Sequence, residues 1–125
     1  MPTAHRRLRL VELQKAPPAP IDISRYDWVD DDGRQIHVLE VAPERGVIRA
    51  LVSFRAGARV PIHSHEVAED TLVLQGGLEL EGDVTGTYGE GNVFWTPAGS
   101  SHGGRVHEGQ DCVCYVVLWS SPDGD

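Results

Sequence analysis

The sequence has little cysteine: only Cys112 and Cys114 occur among its 125 residues. So few thiols exclude the disulfide framework that holds many small secreted domains together. The two cysteines stand two residues apart in an apolar run, and such a pair in an extended strand shares a face but is poorly placed for a disulfide. We therefore expect both to be small buried core residues rather than a redox or metal-binding pair.

Long apolar runs are absent as well. The sequence contains no run of about 18 or more apolar residues, so it predicts no helix that spans a membrane. The N-terminal region also lacks the hydrophobic stretch of a secretory signal. We therefore expect a cytoplasmic protein without a membrane partner.

Basic residues are scarce, since 11 Lys and Arg face 19 Asp and Glu and give a formal net charge of −8. Phosphate contacts require clustered Lys and Arg, so the composition excludes a general nucleic-acid binder. The exception is the first 15 residues, where Arg6, Arg7, Arg9 and Lys15 face a single acid, Glu12. We interpret this basic segment as a solvated arm.

No stretch of the chain combines helical periodicity with helix caps, whereas 14 glycines and 8 prolines separate many short segments. Residues 35–41 alternate apolar and polar side chains, residues 43–46 resemble a turn, and residues 47–54 resemble a strand that leads to Gly57. The sequence therefore predicts an all-β fold. The pattern alone does not choose between a sandwich and a small barrel.

Length and composition predict a single domain, because 125 residues with 40% hydrophobic side chains can bury an ordinary core. We divide the chain into an N-terminal arm at residues 1–24, a β domain at residues 25–121 and a tail at residues 122–125. The arm contains an alternating segment at residues 8–13, typical of an edge strand, and a stiff proline-rich connector at residues 16–20.

Three histidines and one acid stand at spacings that suit a metal site. Successive side chains of a strand alternate between faces, so His63 and His65 point to the same side. Pro61 just before them fits a strand end, and Glu69 opens the next apolar segment. A turn at residues 97–99 then delivers His102 to a further strand. Asp70 remains an alternative to Glu69, because the spacing admits either acid.

Three imidazoles and one carboxylate bind divalent transition metals and do not by themselves select one. Four protein ligands on an octahedral ion leave two positions for water, dioxygen or a chelating substrate. Such an open shell is typical of catalysis, whereas structural zinc sites are usually closed and rich in cysteine. The sequence therefore predicts one divalent transition metal ion and a small-molecule substrate.

Two blocks of the sequence resemble the signature motifs of the cupin superfamily. The first reads G-x5-H-x-H-x3-E-x6-G from Gly57 to Gly76, and the second reads G-x5-P-x-G-x2-H from Gly91 to His102. The second motif often ends in Asn four residues after its His, where this chain has Val106. The resemblance implies a jelly-roll β-barrel with the metal inside, held by His63, His65, Glu69 and His102.

Residues 28–119 also resemble the single-domain cupins related to cupin-type anti-sigma factors and to small iron dioxygenases. This resemblance implies an Fe(II) dioxygenase-type oxidoreductase as the first hypothesis. A non-redox isomerase, cyclase or decarboxylase that uses Zn, Ni or Mn is the second, and a metal-loaded ligand-binding or sensor domain is the third. Fold alone does not decide among them.

Two further expectations concern the walls of the barrel and its partners. Alternation from Glu69 puts Thr71 and Val73 on its face, and Tyr115 is a candidate catalytic residue because a phenol beside a metal-bound substrate can donate a proton. Cupins commonly pair through their sheets, and the strand-like segment at residues 8–13 is suited to adding to a partner's sheet edge. We therefore predict a homodimer.

Overall fold

The structure, a computed structural model, describes residues 27–31 and 33–120. The N-terminal arm, its proline-rich connector and the C-terminal tail lie outside the described residues. The same holds for residues 25, 26 and 121 at the two ends of the expected β domain, so its boundaries stay a prediction.

The described residues form ten strands and one short 3-10 turn, without an α-helix, which confirms the all-β prediction. The turn is Pro43–Arg45, and Gly46 closes it in the left-handed conformation. None of the described residues belongs to a helix long and apolar enough to cross a membrane. The strands are β1 Val29–Asp31, β2 Arg34–Ala42, β3 Val47–Phe54, β4 Arg59–Ser64, β5 Ala68–Gln75, β6 Gly77–Gly82, β7 Gly86–Gly89, β8 Val93–Thr96, β9 Ser101–Val106 and β10 Cys112–Trp119.

The strands pair antiparallel in two sheets. The larger sheet has the order β1-β2-β3-β10-β5-β8, and the smaller has the order β4-β9-β6-β7. From β3 to β10 the chain repeatedly crosses from one sheet to the other, as in a jelly roll. No strand of one sheet pairs with a strand of the other within residues 27–31 and 33–120, so the expected jelly roll is two facing sheets rather than a barrel closed by hydrogen bonds.

The core lies between the sheets, because both contribute inward-facing apolar side chains to one buried cluster. Both cysteines belong to it as free thiols, which confirms that they are core residues, and their sulfur atoms lie 3.7 Å apart. The cluster consists of Val52, Val73, Leu78, Leu80, Phe94, Val106, Cys112, Cys114 and Val116.

Pro61 does not end a strand, so that expectation was wrong. It lies inside β4, which runs from Arg59 to Ser64. A proline lacks the N–H that a central strand needs, but β4 is an edge strand and its pairing with β9 shifts register between Val60 and His63. An edge with a bulge tolerates proline, and the shift leaves His63 directly opposite His102.

Two glycines of β9 let three strands of the smaller sheet approach each other closely. A Cβ at Gly104 would overlap the carbonyl oxygen of Glu79 on β6, and a Cβ at Gly103 would lie 2.7 Å from the carbonyl oxygen of Val60 on β4. No real Cβ atom adopts such separations, so the backbone would have to move. Because His102 immediately precedes these glycines, the close packing of β9 also fixes where that imidazole lies.

Gly104→Ala is therefore expected to destabilise the protein. Overpacking of a tight interior costs about 1–3 kcal/mol, and here the obstacle is backbone, which cannot rotate away. Gly89→Ala is the matched control, because its Cβ would meet nothing nearer than 4.0 Å. Urea unfolding of both variants tests this: a Gly104→Ala protein as stable as Gly89→Ala would contradict the packing described here.

Candidate metal site

The three histidines of the motifs come together on the smaller sheet. His63 on β4 and His102 on β9 are directly paired across the two strands, and their ring centroids lie 4.6 Å apart. His65 follows the end of β4, with its ring 5.0 Å from that of His63 and 5.9 Å from that of His102. One nitrogen of each ring lies within 4.8 Å of the others, so the three histidines could hold a metal ion.

Glu69 approaches this cluster from the facing sheet. It is the second residue of β5, and its side chain is only 13% exposed. One carboxylate oxygen lies 3.7 Å from Nε2 of His65 and the other lies 3.6 Å from Nε2 of His102. The carboxylate therefore joins the histidines, although the two kinds of side chain come from different sheets.

Asp70 does not reach the cluster. Because successive residues of a strand face opposite sides, Asp70 projects from the outer face of β5. There it accepts a hydrogen bond from Nε1 of Trp119 at 3.0 Å. The structure thus brings Glu69 rather than Asp70 to the histidines.

The distances from Glu69 to two of the histidines are close to those around a single metal ion. Metal–nitrogen and metal–oxygen bonds of about 2.1 Å place neighbouring ligand atoms of one ion about 3.0–3.6 Å apart. The separations of 3.6 Å from His102 and 3.7 Å from His65 lie at and just beyond the upper end of this range. Nδ1 of His63 donates a hydrogen bond to the carbonyl oxygen of Pro61 at 2.8 Å. That bond fixes the tautomer and leaves Nε2 as the ligand atom, as is usual for metal-binding histidines.

Burial favours the uncharged form of three side chains in the cluster. The pKa of His102 is lowered to about 4, mainly by burial and also by the charges of His63 and His65. The pKa of His65 is lowered by the same causes, burial first and then His63. Burial raises the pKa of Glu69, although the His63 charge partly opposes this. At neutral pH His65 and His102 are neutral ligands, and the Glu69 carboxylate lacks solvation that a bound cation would replace.

One polar atom of the cluster has no hydrogen-bond partner. Nδ1 of His102 is fully buried and unpaired among the described residues. A buried polar group without a partner costs about 1–3 kcal/mol, and such groups are rare enough in native proteins to suggest a functional constraint. The His102 ring is therefore held by its contacts with Glu69 and His63 rather than by a hydrogen bond from Nδ1.

A small cavity of about 50 Å³ opens beside the histidines, between the two sheets. Its wall is mostly apolar, with a few polar side chains among the lining residues. Thr71 faces it, as the alternation from Glu69 predicts. The lining residues are Arg34, Val52, Phe54, Val60, His63, Glu69, Thr71, Leu78, Leu80, Phe94, His102, Cys114 and Val116.

Tyr115 is not placed to act as the proton donor that the sequence suggested. Cys114 and Val116 on either side of it line the cavity, so Tyr115 projects from the opposite face of β10. Its hydroxyl accepts a hydrogen bond of 3.1 Å from Arg49, whose Nε donates to Glu40 at 2.7 Å. The alternation argument already applied to β5 would have given this result for β10 once Cys114 was assigned to the core.

Arg34 is a cavity residue that the sequence reasoning missed. The available signal was its spacing, because Arg34 stands two residues before Ile36, which packs against the core. Two positions apart on one strand place both side chains on the same face.

Comparison with known proteins agrees with this fold and cluster. A family model described as the ChrR cupin-like domain matches residues 17–122. The chain belongs to this cupin family. No curated protein matches the chain.

Solved structures similar to this cupin domain differ widely in what they do. KdgF from Halomonas sp. is 23% identical, with 86% of this chain and 98% of that chain covered and a TM-score of 0.65. The complex of SigE with the anti-sigma ChrR from Rhodobacter sphaeroides contains a chain that is 28% identical, with 78% of this chain and 50% of that chain covered and a TM-score of 0.67. The polyketide cyclase RemF from Streptomyces resistomycificus is 20% identical, with 84% and 81% covered and a TM-score of 0.65. The structural family therefore includes enzymes and a regulator.

Removing the Glu69 charge is expected to stabilise the metal-free protein at neutral pH. The pKa of Glu69 is raised above its ordinary value of 4.5, so its ionisation costs stability progressively as the pH rises from 4.5 to the folded-state pKa, and the full cost is present above that pKa. Glu69→Gln should therefore unfold at a higher temperature than the parent at pH 8 in chelator, and the gain should vanish as the pH falls toward 4.5.

Thermal unfolding with Glu66→Gln as the control decides this. Glu66 is exposed, so its variant loses the same formal charge without relieving burial. Equal melting temperatures for the parent and Glu69→Gln at pH 8 would mean that the Glu69 carboxylate is not strained by burial.

Tyr115→Phe is expected to leave metal content and ligand binding unchanged, because the phenol faces away from the cavity. The lost hydrogen bond to Arg49 should lower stability by about 1 kcal/mol, a typical value for one such bond. Metal analysis and chemical unfolding measure the two effects separately. A variant that lost its metal while keeping its stability would place Tyr115 at the site after all.

Proposed function

We propose that this cupin domain is a metal-dependent enzyme that acts on a small organic molecule. One divalent transition metal ion is held by His63, His65, Glu69 and His102, and the substrate occupies the adjoining cavity. The observation that carries the proposal is that Glu69 and the histidine cluster, drawn from opposite sheets, meet at the edge of an apolar cavity. Apolar pockets with a few convergent polar groups are the usual form of small-molecule sites.

The first choice of metal is Fe(II), and the first choice of reaction is that of a dioxygenase-type oxidoreductase. Fe(II) in an open shell of three nitrogens and one oxygen would supply Lewis acidity together with the redox chemistry of dioxygen. This ligand set also accepts Zn, Ni and Mn. The identity of the bound metal therefore helps to distinguish the Fe(II) dioxygenase from candidates that use Zn, Ni or Mn.

The residues of the chain contribute positioning and exclusion of water. The hydrogen bond from His63 to the Pro61 carbonyl holds one imidazole in a single orientation, and the pairing of β4 with β9 holds His102 opposite it. The apolar wall keeps the local dielectric constant low, which strengthens polar contacts between a bound substrate and the cluster. Phe94 and Thr71 lie on the part of the wall contributed by the larger sheet.

Two alternatives use the same site. The second candidate is a non-redox isomerase, cyclase or decarboxylase, in which Zn, Ni or Mn would polarise a carbonyl group. The similarity in fold to a polyketide cyclase is the reason to retain this candidate. The third candidate is a metal-loaded sensor, favoured by the family match and by the similarity to the structure that contains the anti-sigma ChrR. A sensor binds its ligand without changing it, so product analysis separates it from both enzymes.

The homodimer and the cytoplasmic location stay predictions. The strand-like segment at residues 8–13, on which the dimer prediction depends, lies outside the described residues. Light scattering at micromolar concentration measures the assembly, and a mass equal to the 13.7 kDa of one chain would contradict the dimer.

Metal analysis of protein purified without tag or chelator is expected to give about one equivalent of metal, since the three histidines form one cluster and Glu69 lies beside two of them. The double variant His63→Ala, His102→Ala should retain almost none. His107→Ala is the matched control, because His107 is exposed and lies outside the cluster, and it should keep the full equivalent.

Iron as the retained metal should be accompanied by oxygen uptake with β-diketones or phenols, and the double variant should show none. Zinc, nickel or manganese without oxygen uptake would favour the non-redox enzyme or the sensor. A double variant that loses its metal yet keeps full turnover would contradict metal-dependent catalysis of either kind.

A further inference from the structure

Arg34 occupies a distinctive place on the cavity wall. Among the described residues it is the one Lys or Arg that lines the metal cavity. It also borders a polar hollow on the surface, which it shares with Gln35, Arg55 and Asp111. Because Arg34 belongs to both, its side chain lies where the inner cavity meets the surface.

Arg34 shares the cavity wall with three residues of the cluster. His63, Glu69 and His102 line the same small cavity as Arg34. Arg34 opens β2 of the larger sheet, the sheet that also carries Glu69 on β5. Arg34 and the cluster therefore border the same small volume.

The apolar wall determines which ligands can use this volume. Residues such as Val52, Phe54 and Leu80 cannot solvate a charge, so an anionic group that enters the cavity needs a cation as its partner. A guanidinium is suited to this, because its planar fork pairs with a carboxylate through two parallel hydrogen bonds. A metal ion with two or more positive charges also outweighs the single negative charge of Glu69, so the site as a whole favours an anion.

We propose that Arg34 is the specificity-determining residue of this site and selects substrates that carry a carboxylate. The carboxylate binds the Arg34 guanidinium at the entrance, and a second oxygen of the same molecule faces the cluster of His63, Glu69 and His102. The small cavity favours short acids with a hydroxyl or carbonyl group next to the carboxylate. The proposal rests on the proposed metal site but not on the choice between redox and non-redox chemistry.

Calorimetric titration of Zn(II)-loaded protein with glycolate and with glycolamide tests the proposal. Zn(II) suits the experiment because a site with these ligands that holds Fe(II) binds Zn(II) more tightly. The two probes differ mainly in charge, so a charge-assisted contact should favour glycolate by about tenfold or more in Kd. Arg34→Gln should abolish this preference and keep one equivalent of Zn(II).

Two further variants separate a local contact from general electrostatics and from misfolding. Arg55→Gln removes the same charge from the surface hollow but not from the metal cavity, so it should keep the preference for glycolate. Arg34→Lys keeps the charge but loses the planar fork, so it should keep part of the preference.

Each outcome supports or overturns the proposal. Arg34 is not the selector if Arg34→Gln keeps the preference, if Arg55→Gln loses it equally, or if the parent binds both probes alike or neither. A loss of zinc in Arg34→Gln would contradict the proposal, because Arg34 would then support the metal site itself rather than select the substrate. No zinc in the parent would contradict the proposed function itself and this proposal with it, whereas one equivalent of zinc without acid selectivity contradicts this proposal alone.

Discussion

The constraint on which the site depends is the burial of one carboxylate between two sheets. Glu69 has little contact with water, and burial raises its pKa. His65 and His102 do not neutralise it, because burial holds both in the neutral form at neutral pH. A bound cation would stabilise the buried carboxylate and the neutral imidazoles together, since it pairs with the carboxylate and accepts the lone pairs of the imidazoles. The cluster is thus more consistent with a metal site than with a set of internal ion pairs.

The two-residue period of the strands decides which neighbouring side chains take part in this site. Glu69 faces the histidines, whereas Asp70 faces outward and binds Trp119. On β10 the same period turns Cys114 toward the cavity and Tyr115 toward Arg49. A one-residue slip of either strand would exchange these roles, so the register of β5 with β10 specifies the site as directly as the identity of the ligands does.

The meeting of the three histidines and Glu69 was predictable from the sequence because it depends on local rules. His63 and His65 needed only alternation, and the glycines and prolines between strands marked the segments that carry Glu69 and His102. Pro61 was misread because its tolerance depends on β4 being an edge strand, which is a property of the whole sheet. Arg34 was missed for a related reason: the face of a residue at a strand end becomes clear only when its neighbours across the sheet are known. Local sequence patterns were therefore enough to predict the cluster of three histidines and Glu69. The place of Arg34 on the cavity wall needed the long-range pairing of the strands.

A metal ion held by the histidines and Glu69 together would have a structural role as well as a chemical one. The smaller sheet supplies the imidazoles and the larger sheet supplies Glu69, and within the described residues no strand pairing joins these sheets. They are held face to face by the apolar cluster between them, which is non-directional and permits small relative shifts. A metal ion with ligands from both sides imposes directional bonds on that interface. Because an ion that binds only the folded state stabilises it by mass action, occupancy of the site would set the spacing of the sheets and the dimensions of the cavity between them.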